Sequence, residues 1–231
     1  MSISIIIPTL NEKNNILKLL KLISQNLKNT KYEIIFVDDN SSDGSINIFK
    51  KIKSKKINFF IRKKNPDLTQ SCFLGIKKST YNNIIIMDGD LQHNPKYIVK
   101  FIKLMKKRRL DIVVGVRDFS KRSSLSIVRF LSSKMIIFFT NNLLGYRTSD
   151  PMSGFFLFKK KIFHESNNNM YGKGFKILMD IIYSSKKKLK IRDVKIKFNN
   201  RMSGKSKMSF STLIHIISFI GINSVRKFFF L

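Results

Sequence analysis

Short, mostly apolar runs alternate along this chain with stretches in which apolar residues recur every three or four positions. The runs are Ser2 to Ile7, Tyr32 to Val37, Ile57 to Ile61, Ile84 to Met87 and Leu110 to Val116. Each predicts a strand, and Ile84 to Met87, an unbroken run without the apolar/polar alternation of a strand with one wet face, predicts one buried on both faces. Between them, Ile16, Leu17, Leu19, Leu20 and Ile23 predict a first helix, and further helices are expected over about Ser45 to Lys53 and Leu68 to Lys78. Pro95, favoured in a first helical turn, opens another that runs to about Arg108 with Ile98, Phe101, Ile102 and Met105 inward. Strands alternating with helices imply right-handed crossovers and a mostly parallel sheet with helices on both faces, an α/β fold.

After Arg117 the texture changes. Leu125 to Leu144 is apolar with interspersed Ser and Asn and two cations, Arg129 and Lys134, and predicts an amphipathic helix near a surface. A polar turn at Ser149 to Gly154 precedes a short strand, Phe155 to Phe158; a helix follows through Ile177, Leu178, Ile181 and Ile182. Lys190 to Phe198 reads as a half-buried strand with Ile191, Val194, Ile196 and Phe198 as its apolar members. The Arg-, Ser-, Gly- and Lys-rich stretch 199–207 has the composition of a phosphate-binding lid. From Met208 to Val225 there is no charged side chain, a span at the lower limit for crossing a hydrocarbon core of about 30 Å. Ser, Thr, His and Asn dilute it, and Arg226 and Lys227 follow, which favours an amphipathic, interfacial helix over a plain core helix. The expected organisation is a catalytic domain over 1–207, including the 199–207 loop, and a C-terminal apolar helix over 208–231.

The 231 residues suit one sizeable domain. A net charge of +31 points to anionic partners: nucleic acid, phosphorylated substrates or an anionic membrane surface. Compositional bias, rich in Ile, Asn and Phe and without Trp, accounts for part of that charge as solvated lysine. The single cysteine, Cys72, excludes an intrachain disulfide and fits a reducing compartment. Pro8 closes the first apolar run early and no basic region precedes it, so it reads as a strand and not as a signal peptide.

The candidate chemistry lies where strands end. Asp88 and Asp90 follow the fourth strand with only Gly89 between them; an extended backbone through Gly89 would turn both carboxylates to one side, at the edge where open parallel sheets bind ligands. Two such carboxylates repel unless a cation lies between them. A hard divalent ion such as Mg2+, with further positions for water and phosphate oxygens, fits the pair, and Gln92 could add a neutral oxygen. A plain turn closing the strand is the alternative. Asp39 ends the second strand at the same edge; Ser42 and Asp43 stand nearer the following helix and are better placed to cap it. Arg117 ends the fifth strand there too. No Gly-x-Gly-x-x-Gly follows any strand, which favours a diphosphate held through a metal over one cradled by backbone N–H groups. A nucleic-acid-binding protein, the rival class raised by charge alone, lacks any recognisable module in the sequence, and a nucleotidyltransferase would also want metal-bound carboxylates.

With Ile-Ile-Pro-Thr-Leu-Asn-Glu, Val-Asp-Asp-Asn-Ser-Ser-Asp-Gly, Met-Asp-Gly-Asp-Leu-Gln-His-Asn-Pro, Val-Gly-Val-Arg, Ser-Asp-Pro-Met-Ser-Gly-Phe-Phe and Arg-Met-Ser-Gly-Lys-Ser-Lys in place, the chain resembles family 2 glycosyltransferases of the GT-A fold, and among them the dolichol-phosphate (polyprenol-phosphate) mannosyltransferases. The resemblance implies a nucleotide-sugar donor, GDP-mannose, a polyprenyl-phosphate acceptor, Mg2+ or Mn2+, and inversion at the sugar carbon. UDP-glucose with a polyprenyl phosphate uses similar residues. By the same resemblance, Pro8, Glu12, Val37 and Asp39 would line the nucleotide pocket, and Asp88, Gly89, Asp90 and Gln92 would hold diphosphate and metal, with Asp90 and Gln92 as direct ligands. Arg117, Lys176 and Arg201 would grip donor phosphates and Arg129 would meet the acceptor phosphate. Leu10 stands where the family often has Tyr, and Lys205 where its lid often has Glu. The chain resembles the short, peripheral type without added membrane helices, so the expected place is the cytoplasmic side of a membrane, with room for small membrane partner subunits and no nucleic acid.

Overall fold

The computed structural model describes residues 1–117, 127–174, 177–198, 215 and 217–225; side chains of 127–134 are outside that description. Lys176, Arg201, the 199–207 loop and the ends of the 208–231 segment therefore fall outside the described residues, and Arg129 is placed only by its backbone.

The first half of the chain alternates strand and helix: β1 (Ile3–Thr9), α1 (Lys13–Asn26), β2 (Tyr32–Asp38), α2 (Ser45–Lys51), β3 (Ile57–Ile61), α3 (Leu68–Lys78), β4 (Asn83–Ile86), α4 (Lys96–Arg108) and β5 (Ile112–Arg117). Then come α5 (Ile127–Leu144), β6 (Phe156–Lys159), α6 (Lys160–Ser166), a single 3-10 turn at Asn167–Asn169, α7 (Ile177–Tyr183) and β7 (Ile191–Ile196). Residues 217–225 are helical.

The seven strands lie in the order β3-β2-β1-β4-β6-β5-β7. β1 pairs parallel with both β2 and β4, β2 with β3, and β5 with β7. The apolar runs alternate faces even though they do not alternate polarity. Ile5, Ile7, Ile85 and Met87 pack under α1, α2 and α4 with Ile16, Phe49 and Phe101. Ile6, Ile84 and Ile86 pack on the opposite face under α3, α6 and α7 with Cys72, Phe163 and Leu178. Burial on both faces is the physical reason these strands carry no polar stripe.

β6 departs from the parallel expectation: it runs antiparallel to β4 and β5. The chain returns from α5 to the carboxyl edge of the sheet and enters β6 from that edge, which keeps the preceding turn, 149–155, beside the ends of β4 and β5. Chain direction reverses its sense at β1 and β4: β1 leads outward through β2, whereas α3 carries the chain back across to β4. The crevice beyond β1 and β4 is thus a topological switch point, the usual ligand position in such sheets.

A third apolar cluster joins Leu144, Met152 and Met179 to Phe219 and Ile220 of the 217–225 helix. That helix has a second face: Ile217, Ile222 and Val225 are exposed, as are Met135, Phe138, Phe139 and Leu143 of α5 and the neighbouring Tyr146. Phe219 and Ile220 thus pack as a core helix would, and the other face of 217–225 is apolar and exposed. Among the described residues no helix is long and apolar enough to cross a membrane.

Candidate active site

The ends of β1 and β2 are tied together residue by residue. Pro8 pairs with Val37 and Thr9 with Asp38 in the ladder, so the two apolar site candidates sit side by side at the sheet edge. The buried Asp38 carboxylate accepts from the Thr9 hydroxyl at 2.9 Å and from the Ser41 amide and hydroxyl, each at 2.7 Å. The Asp39 amide donates to the Thr9 carbonyl at 2.9 Å. Asn11, in the left-handed region, accepts from the Ser42 amide and donates its own amide to Ser41 Oγ. Short polar side chains thus satisfy backbone groups at a turn with no ladder to join.

Asp39 sits in this frame, buried, and does not cap α2. Asp43 serves that helix, accepting from the Ser45 amide at 2.9 Å. The Asp39 carboxylate accepts from Arg62, from the Ser71 hydroxyl at 2.6 Å and from the Asp67 amide at 2.9 Å. Asp67 then caps α3, accepting from the Gln70 amide at 3.0 Å, and accepts from the Gly174 amide at 2.9 Å. The Asp39 carboxylate is therefore joined through α3 to the 171–174 turn. Buried Asp180 fixes the same turn by accepting from the Tyr171 and Gly172 amides, each at 2.7 Å.

At the end of β4 the extended backbone stops at Ile86 and bends through Gly89 to Leu91, which has a φ of 64°. The expectation that Asp88 and Asp90 project together from an extended run is corrected by two local bonds. Asp88 donates its amide to His93 Nδ1 at 3.1 Å, and Asp90 Oδ1 accepts the Gln92 amide at 3.1 Å, an Asx turn. Their surroundings differ: the Asp88 side chain is 37% exposed, whereas Asp90 is 3% exposed. Gln92 is half-buried beside Asp90. Gly89 lies against the end of β1, where an added Cβ would stand 3.2 Å from Thr9 Cγ2 and 3.6 Å from Glu12 Cγ. Glu12 is buried and accepts from Asn15 Nδ2 at 2.7 Å. A Cβ on Gly154 would stand 2.8 Å from Asp88 Oδ2, so the 149–155 turn closes over that carboxylate. Burial first, and then the negative charges of Asp88, Asp39 and Asp67, push the Cys72 thiol well above its ordinary pKa.

Arg117 arrives at this edge at the end of β5, but in a clamp. Its Nε and one terminal nitrogen donate to the two oxygens of fully buried Asp150 at 2.8 and 3.0 Å. The Ser153 hydroxyl donates to the Gly115 carbonyl at 2.6 Å, so one polar turn spans β5 and Asp88. Arg62, Asp67, His93, Asp150 and Asp180 carry no local sequence signal for these roles; the partners are brought by tertiary folding. Pro8, Val37, Glu12, Asp39, Asp88, Gly89, Asp90, Gln92 and Arg117 all lie at the carboxyl edge.

The donor set suits a hard divalent cation. Asp90 is a buried carboxylate next to a second, partly exposed one, with an amide oxygen donor two residues on. Among the described residues no group of three or more His, Cys, Asp or Glu converges. An ion such as Mg2+ takes one or two protein carboxylates and completes its shell with water and substrate phosphate.

Comparison with known proteins agrees with this geometry. The model of glycosyl transferase family 2 matches residues 4–166. A dolichol-phosphate mannosyltransferase of Pyrococcus furiosus is 33% identical over 225 residues, covering 95% of this chain and 63% of that protein. The chain thus spans less than two thirds of the archaeal relative's length. Dolichol-phosphate mannosyltransferases of Mycosarcoma maydis and Saccharomyces cerevisiae are 30% and 27% identical over 221 and 233 residues, covering 90% and 93% of this chain and 74% and 84% of theirs. Glucosyl-3-phosphoglycerate synthase from Mycobacterium tuberculosis, crystallised with Mn2+, uridine-diphosphate-glucose and phosphoglyceric acid, superimposes with a TM-score of 0.71 at 14% identity, covering 95% of this chain and 80% of that one. At that identity the likeness establishes the fold, which is the GT-A type.

Proposed function

The chain belongs to glycosyl transferase family 2, and on that premise we propose that it moves a mannosyl group from GDP-mannose to a polyprenyl (dolichyl) phosphate. The observation that carries this reading is the likeness to dolichol-phosphate mannosyltransferases across at least 90% of the chain.

The reaction asks for what this edge offers. The acceptor phosphate is an anion at neutral pH, so one of its oxygens attacks the sugar carbon without a protein base. As that bond forms, the bond from the sugar carbon to the donor diphosphate breaks and the nucleoside diphosphate leaves with the electron pair, inverting the carbon. Charge gathers on the leaving diphosphate, and stabilising it is the main catalytic demand. A bound Mg2+ or Mn2+, held by Asp90 and Gln92 with Asp88 alongside, would supply Lewis-acid stabilisation of that charge. Pro8, Val37, Glu12 and Asp39 would receive the nucleotide at the ends of β1 and β2. Arg117, oriented by Asp150 at the end of β5, would grip the donor phosphates together with Lys176 and Arg201. Arg129 would face the acceptor phosphate.

The acceptor is lipid-borne, and two features support a peripheral place on the cytoplasmic face of an anionic membrane. One is the net charge of +31, the other the exposed apolar side chains of α5 and the 217–225 helix. The direct test incubates purified protein with GDP-mannose, UDP-glucose and other sugar nucleotides, a polyprenyl phosphate, and Mg2+ or Mn2+, and weighs the lipid product. A mannosylated polyprenyl phosphate is the expected product; a hexose taken only from UDP-glucose, or no lipid product from any donor, overturns the reading.

A further inference from the structure

Beside the acidic turn lies a buried titratable ring that the transfer reaction does not use. His93 is 1% exposed, and three segments meet on it. Its Nδ1 accepts the Asp88 amide at 3.1 Å. One ring face stacks on Phe155, at 5.1 Å between centroids and 26° between planes. Phe198, just beyond β7, meets it edge-on at 5.0 Å and 82°. The same Nδ1 lies 3.7 Å from Asp88 Oδ2, too far for a hydrogen bond and with its lone pair already engaged by the amide. An imidazole that accepts at Nδ1 carries its proton on Nε2 and bears no charge, so this contact is not an ion pair.

We propose that His93 is a positioning residue: it holds the Asp88 to Asp90 turn in its bent form and locks that turn to the 149–155 segment and to the end of β7. A strand that ends in Asp-Gly-Asp has many ways to continue, because Gly89 resists none of them. The observed continuation needs an acceptor for the Asp88 amide, which has left the ladder. His93 provides one, from a ring fixed in turn by two aromatic neighbours. The ring also decides where Asp88 points, since the amide it holds belongs to the residue whose carboxylate meets Gly154. Phe155 extends that fixation, because its carbonyl accepts the Gly115 amide at 2.8 Å in the segment that orients Arg117. One neutral ring thereby sets the relative placement of the carboxylate pair and the β5 cation. The consequence for catalysis rests on the transferase reading above; the positioning itself does not.

The test separates the two. Amide hydrogen exchange over residues 87–92 is measured in the full chain without metal or substrate, for the wild type, His93→Phe and His93→Asn. Phe keeps a ring for Phe155 and Phe198 and removes the acceptor; Asn places an acceptor near the Nδ1 position and removes the ring. His93→Phe should exchange the Asp88 amide about tenfold faster or more, as loss of one buried hydrogen bond requires, while Tm stays near wild type. His93→Asn should restore protection at Asp88. In turnover, His93→Phe should need more Mn2+ for half-maximal rate and His93→Asn should recover part of that deficit. Wild-type protection of Asp88 in His93→Phe would overturn the proposal. If that variant does not fold, nitrogen NMR of the wild-type ring decides: an unprotonated Nδ1 with Nε2–H is required, and an Nδ1–H or doubly protonated ring refutes it. Normal exchange behaviour with no sugar transfer from any donor would instead count against the functional reading alone.

Discussion

Asp88 and Asp90 are two residues apart, and a single feature, the end of β4, marks both in the sequence. Their environments assign them different work. Buried Asp90 already spends one oxygen on the Gln92 amide, and an Asn in its place could keep that bond while losing the charge. Asp90→Asn should therefore fold normally and lose about a hundredfold or more in transfer rate, the size of effect expected when a group that stabilises developing charge is neutralised. Near-normal turnover with metal still bound would remove Asp90 from the metal site. Asp88 is tested from the other side. Gly154→Ala would put a methyl 2.8 Å from Asp88 Oδ2, and the neighbour that must give is a side-chain end, not backbone. We expect Tm within a few degrees of wild type, about 4 °C at most for a change near 1 kcal/mol in a chain this long, and a loss of about tenfold to a hundredfold in kcat/KM from the displaced group. An unaltered rate would show that the position of Asp88 is immaterial. At this scale the acids were legible because strand ends are legible. Their partners were not: nothing local links Asp39 to Arg62 or Arg117 to Asp150, and the bend at Gly89 depends on a ring at His93 whose role appears only when Phe155 and Phe198 close around it.

Elements decide how those residues come to one edge. α3 lies across β1 and β2 with so little clearance that a Cβ on Gly75 would stand 2.4 Å from Ile6 Cγ2 and 3.3 Å from Val37 Cγ2, both in fully buried side chains. Neither methyl has room to retreat, so Gly75→Ala should lift α3 off the sheet. Overpacking of this kind costs about 1–3 kcal/mol, readable as a lower denaturation midpoint with an unchanged m-value. The damage should extend to function, because the first turn of α3 carries Asp67 and its next turn carries Ser71, both bound to Asp39. Weaker nucleotide binding is the expected companion; full stability in Gly75→Ala would contradict the close approach. Most elements could be read from periodicity, and α3 spans Leu68 to Lys78 as expected from the sequence. The orientation of β6 could not. Phe156 to Lys159 is a short apolar run, and burial on both faces looks the same whichever way a strand runs. Its antiparallel setting follows from where the preceding turn must stay, a tertiary constraint with no periodic signature.

The molecule as a whole has a chemical edge and an apolar flank, and the 217–225 helix belongs to the second. Phe219 and Ile220 are buried against Leu144, Met152 and Met179, so removing the segment would uncover a core cluster as well as any membrane contact. Point substitution separates those effects. Phe138 and Ile222 are 62% and 41% exposed, on α5 and on the 217–225 helix, and neither belongs to a buried cluster. Inserting such side chains into the acyl boundary is worth about 1.5–3 kcal/mol each when fully buried. Lys and Arg near an anionic surface add about 1 kcal/mol apiece, an attraction that fades over a Debye length of about 8 Å at physiological salt. Phe138→Glu with Ile222→Glu should thus weaken cosedimentation with anionic vesicles by at least about a hundredfold while leaving Tm and binding of soluble sugar nucleotide unchanged. Raising salt should weaken wild-type binding, because it screens the attraction between lysine or arginine and anionic headgroups. Undiminished vesicle binding by the double variant would detach this flank from the membrane and leave the basic surface alone to bring the enzyme to a lipid-borne acceptor.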